Sequence, residues 1–71
     1  MNIYEYWLTM KLRRILKLGF LRTSVSYQGE YWELSAMTRG DVYSLAQGHR
    51  LRQVLREGYD YGATVVAGSG G

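Results

Sequence analysis

His49 is the only histidine in the chain and cysteine is absent, so a nucleophilic site would have to pair that imidazole with a serine or threonine. No serine stands in a G-x-S-x-G or comparable turn. His49 itself falls where a helix break is expected, which suits a loop residue that caps a helix or faces solvent. The carboxylates offer little more. Glu30 and Glu33 are three apart on an expected strand and so point to opposite faces. Glu57 and Asp60 flank Gly58 with no third ligand nearby, fewer donors than a metal site requires. The terminal Gly68-Ser69-Gly70-Gly71 lacks the following helix and lysine that make a phosphate cradle. Catalysis, a cofactor and a bound metal are therefore not expected.

What the chain concentrates is positive charge beside aromatic rings. Tyr6 to Gly29 holds Lys11, Arg13, Arg14, Lys17 and Arg22 with no acidic residue, although the net charge of the 71 residues is only +3. Two Trp, seven Tyr and one Phe are too many large rings for so small a core to enclose. Guanidinium, ammonium and ring faces grip rather than transform. Candidate contact residues are Tyr6, Met10, Arg13, Arg14, Lys17, Arg22, Tyr31, Arg50, Arg52 and Arg56. Tyr, Trp, Met and Arg are the types that dominate protein interfaces, and a second copy of the chain is one partner that would cover them.

These side chains need a scaffold. Tyr4, Leu8, Leu12, Ile15 and Leu16 recur at helical spacing, predicting a helix over 3–18 that ends before Gly19. Tyr6, Met10, Arg13 and Lys17 then share its opposite face. Leu21, Thr23, Val25 and Tyr27 alternate with polar residues, and Trp32, Leu34 and Ala36 follow Gln28-Gly29, predicting a hairpin over 20–37. A tight turn there pairs Val25 with Trp32 and Thr23 with Leu34. The hairpin's outer face would carry Phe20, Arg22 and Tyr31.

Thr38 to Asp41 resembles a capping box, so a helix is expected from Val42, bent or broken at Gly48-His49 because the apolar stripe reverses there. Gly58 would end it, and Tyr59 to Ala67 would form a third strand. The expectation is one α+β domain over 1–67 with order α-β-β-α(α)-β, helices packed on one face of a three-stranded, largely antiparallel sheet, and a flexible Gly/Ser tail at 68–71. The expected core is Leu8, Leu12, Ile15, Leu16, Leu21, Val25, Trp32, Leu34, Ala36, Val42, Leu45, Val54, Leu55, Ala63 and Val65.

Helix, Gly48, helix resembles the helix-turn-helix DNA readers, which would turn Arg50, Arg52, Gln53 and Arg56 toward a groove. Arg39-Gly40-Asp41 matches the tripeptide of integrin ligands, but the cap accounts for Asp41 without a receptor. An RNA- or single-strand-binding sheet would use Phe20, Arg22 and Tyr31. An interfacial membrane helix would take the apolar stripe of residues 3–18 away from the core, and no apolar run reaches the ~20 residues of a membrane span. A basic n-region and a small-residue cleavage site are both missing, so a secretory signal is not expected, and the lack of cysteine suits the cytoplasm. The reading that joins these features is a non-catalytic module docking on a protein or nucleoprotein partner as an inhibitor, regulator or small assembly subunit. In character it resembles the small inhibitors that bacteriophages direct at host machinery. The alternative is a nucleic-acid-binding domain.

Overall fold

A computed structural model describes residues 2–69, which form α1 (Ile3–Leu16), β1 (Arg22–Tyr27), β2 (Trp32–Met37), β3 (Val42–Gly48) and α2 (Leu51–Ser69). The three strands make one antiparallel sheet in the order β1-β2-β3, with both helices on one face. The α+β class and the three-stranded antiparallel sheet are as the sequence implied. The order of elements after Met37 is not.

Asn2 starts α1: its Oδ1 accepts from the Glu5 amide at 2.7 Å, satisfying one of the free donors of the first turn. The N-terminal half of α1 is thinly packed, with Ile3 88% exposed and Tyr4 and Tyr6 also exposed. Losing the cap should therefore fray the helix before it unfolds the domain. Asn2→Ala should cost about 1 kcal/mol locally, read as roughly five-fold faster amide exchange at Glu5 and Tyr6 with an unchanged global unfolding midpoint. The other end of α1 is anchored. Ile15 is buried, and the Thr23 hydroxyl on β1 donates to the Leu12 carbonyl at 3.1 Å.

The β1–β2 hairpin forms, with a register two residues from the expected one: Val25 pairs with Leu34, Thr23 with Ala36 and Tyr27 with Trp32. The turn is a four-residue loop over 28–31, closed by the Gln28 amide donating to the Tyr31 carbonyl, with Gly29 at φ 91°. A shift of two leaves every side chain on its expected face, because strand periodicity is two. Phe20 and Leu21 precede the strand and escape that alternation. Phe20 is buried and Leu21 is 66% exposed, the reverse of their expected places.

Residues 38–41 are a second four-residue loop of the same design, the Thr38 amide donating to the Asp41 carbonyl at 2.9 Å, rather than a helix cap. Val42–Gly48 continues as a strand, so the helix expected there is corrected and the helix-turn-helix resemblance falls with it. Val42, Tyr43 and Leu45 fit a strand as well as a helix, and pairing with β2 supplies backbone bonds that an eight-residue helix could not match. A bulge between Leu34 and Ser35 inserts one extra residue in β3, which explains why Leu45 is buried and its neighbour Ala46 half-buried. Val42, expected in the core, is 72% exposed.

The third strand expected at 59–67 is also corrected: Leu51–Ser69 is one helix. Leu51, Val54, Leu55, Gly58, Gly62, Val65 and Val66 follow i, i+3, i+4, i+7, i+11, i+14, i+15, the pattern of a single packed face. Gly58 and Gly62 belong to that face. Ser69 ends α2, so Gly68 and Ser69 of the expected tail continue the helix, and residues 70 and 71 lie outside the described residues. The buried core is Ile15, Phe20, Leu34, Ala36, Leu45, Val54 and Leu55.

Candidate binding trough

Two helical stripes face each other. On α1 the stripe is Trp7, Lys11 and Arg14; on α2 it is Arg52, Arg56 and Tyr59, with the same spacing of four and then three. The Arg52 guanidinium lies 5.6 Å over the Trp7 ring, and the Arg14 guanidinium 5.3 Å over the Tyr59 ring. These two contacts match the start of one stripe to the start of the other, so the helices run parallel here. Each cation–π rung exchanges roles with the other, aromatic on α1 at one end and on α2 at the opposite end. At such half-exposed sites each is worth about 0.5–1 kcal/mol. Between them, Lys11 and Arg56 share the lining of one hollow of about 600 Å³, floored by Ile15 and Leu55.

Beside that hollow lies a larger cleft of about 800 Å³ lined by Ile3, Tyr4, Trp7, Trp32, Arg50, Leu51, Arg52, Gln53 and Arg56. Trp7, Arg52 and Arg56 line both, so the hollow and the cleft adjoin, and together they make the trough between α1 and α2. Tyr4 stacks beside Trp7 with centroids 6.0 Å apart and rings inclined at 37°. Trp32, held by its cross-strand partner Tyr27 at 5.1 Å, closes the far wall. Among the described residues lining the trough, Lys11, Arg14, Arg50, Arg52 and Arg56 are cationic and Asp60 alone is acidic. Five of the nine Lys and Arg thus gather on one side of the molecule. The first turn of α2 contains no acidic residue, so the positive end of its dipole adds to the same field.

Of the sequence-derived contact residues, Arg14, Arg50, Arg52 and Arg56 are brought together here. Tyr6, Met10, Arg13 and Lys17 form a separate exposed strip on α1. Arg22 sits at the start of edge strand β1, and Tyr31 is half-buried in the β1–β2 loop. Tyr4, Trp7, Trp32 and Tyr59 are not among the contact residues expected from the sequence, and Lys11 stands out there only as part of the basic run. The repeated spacing of 7/11/14 and 52/56/59 was the available signal, readable only once 51–69 is known to be one helix.

Several other polar groups are paired within the fold. His49 donates from Nδ1 to the Glu30 carbonyl at 2.8 Å. Glu33 accepts from Ser44 at 3.0 Å and Gln47 at 2.7 Å on the outer face of the sheet. Gln53 donates to Glu57 at 3.3 Å. Among the described residues no group of three His, Cys, Asp or Glu converges as a metal site, and no helix is long and apolar enough to cross a membrane. Compared with known proteins, the chain matches no family, no curated protein and no solved structure.

Proposed function

We propose that the protein is a non-catalytic binding module that docks on a macromolecular partner, a protein or a nucleoprotein complex, through the α1–α2 trough. It acts by occupancy, as an inhibitor, regulator or small assembly subunit. The observation that supports this reading is the gathering of Lys11, Arg14, Arg50, Arg52 and Arg56 around Tyr4, Trp7, Trp32 and Tyr59. Planar rings and guanidinium groups are the side chains that dominate interface energetics, because they cover large areas with few torsions to immobilise. A cytoplasmic setting belongs to the same proposal and rests on the lack of cysteine.

The test compares two double charge reversals in affinity capture from the source cells, with protein and nucleic acid both analysed. Arg52→Glu with Arg56→Glu reverses the trough; Arg13→Glu with Lys17→Glu reverses the outer strip of α1. The first should reduce partner recovery at least about ten-fold, the second by less than about two-fold, since unpaired rim charges contribute little. Equal losses from both would place the docking surface elsewhere.

A further inference from the structure

We propose that the occupant of the trough is a single-stranded segment of nucleic acid, its phosphates seated between Lys11 and Arg56 and its bases laid against Tyr4 and Trp7. This rests on reading the trough as the docking surface and names what enters it. Lys11, Arg14, Arg52 and Arg56 line one hollow with a single carboxylate, Asp60, an excess of positive charge that an anion relieves. The exposed Arg52 guanidinium lies 5.6 Å over the Trp7 ring, and a guanidinium engages oxygen acceptors through its N–H edge. Tyr4 is 50% exposed beside Trp7, so a ring face is offered within the same trough as the cations. A chain that alternates phosphates with unpaired bases supplies both partners at once. A duplex presents the phosphates but hides its base faces in the stack. An acidic peptide presents carboxylates and nothing that the rings select.

The chain's two tryptophans, Trp7 and Trp32, both line the trough, so intrinsic fluorescence reports on its occupancy. The full chain is titrated with fluorescein-labelled oligo(dT) and oligo(U) of about 20 nucleotides, a duplex of equal length and a poly-glutamate peptide. Anisotropy and tryptophan quenching are recorded from 50 to 200 mM KCl. Five cations at about 0.7 each give a log–log salt slope near −3.5, so single-strand affinity should fall about a hundred-fold over that range. Quenching should follow the same isotherm. Arg56→Ala should lower the slope by about 0.7, whereas Tyr4→Ala should weaken binding about ten-fold with the slope unchanged; circular dichroism verifies that both variants fold. Duplex binding as tight as single-strand binding overturns the inference, as does capture of poly-glutamate without the oligonucleotides. In the poly-glutamate case, loss of binding in the Arg52→Glu, Arg56→Glu variant would keep the trough as the docking surface. Undiminished oligonucleotide binding by that variant would remove the trough from both readings.

Discussion

Gly58→Leu should leave the chain unfolded at 25 °C, and Gly58→Ala should lower its stability by about 1–3 kcal/mol although alanine is the better helix former. The reason is where α2 meets the sheet. A Cβ built at Gly58 falls on the Leu34 side chain and 3.6 Å from the Leu45 Cβ, and Leu34 has 0% exposure. A methyl group there displaces a fully enclosed leucine, and a whole leucine has nowhere to go. A domain of this length has on the order of 4–10 kcal/mol in total, so the larger substitution exceeds what the fold can absorb. The two positions must also couple. Leu34→Ala alone should cost about 2–5 kcal/mol by leaving a cavity, and the added methyl of Gly58→Ala occupies part of it. Urea unfolding should find the double variant more stable than Leu34→Ala alone, an interaction of about 0.5–3 kcal/mol. Additive losses would mean that the helix does not press on Leu34 as described.

The same glycine explains why the second half of the chain was hard to read. In the sequence Gly48 and Gly58 look like punctuation, the first a break and the second a helix end. On α2 the residues at 58 and 62 are small because the helix sits close to the sheet: a Cβ added at Gly62 would lie 3.2 Å from Phe20 and 3.4 Å from Leu18 and Leu45. Backbone preference says stop there, and burial of the whole face from Leu51 to Val66 outweighs it. A helix end at Gly58 leaves Tyr59 to Ala67 as a strand, while the helix expected from Val42 has a separate source, the likeness of Thr38 to Asp41 to a capping box. The first half was readable because its signals agree: a capped amphipathic helix, then strict alternation either side of Gln28-Gly29. The trough was half visible for a related reason. Its cations stand out in composition, whereas Trp7 and Trp32 look like core, and both are in fact half-buried, with one side packed and one side facing the cleft.

Ile15→Ala should produce the second large loss, and one that separates the scaffold from the surface it carries. Ile15 is 1% exposed and is the buried residue of α1, so it holds against β1 and α2 a helix whose other apolar side chains are at most half-buried. Truncation should cost about 2–5 kcal/mol, enough to bring urea unfolding near physiological conditions. Ile15 also floors the hollow between the facing stripes. With α1 loosened, the Trp7–Arg52 and Arg14–Tyr59 rungs lose their alignment, although every cation remains in the chain. Affinity at the trough should therefore fall while net charge is unchanged, with tryptophan emission shifting to the red as Trp7 gains solvent. Ile15→Val removes one methylene, should cost about 0.5–1.5 kcal/mol, and should leave both emission and affinity near their original values. A variant Ile15→Ala that keeps its stability within about 0.5 kcal/mol would mean that α1 is held by other contacts and that the trough's two walls are not set by this side chain.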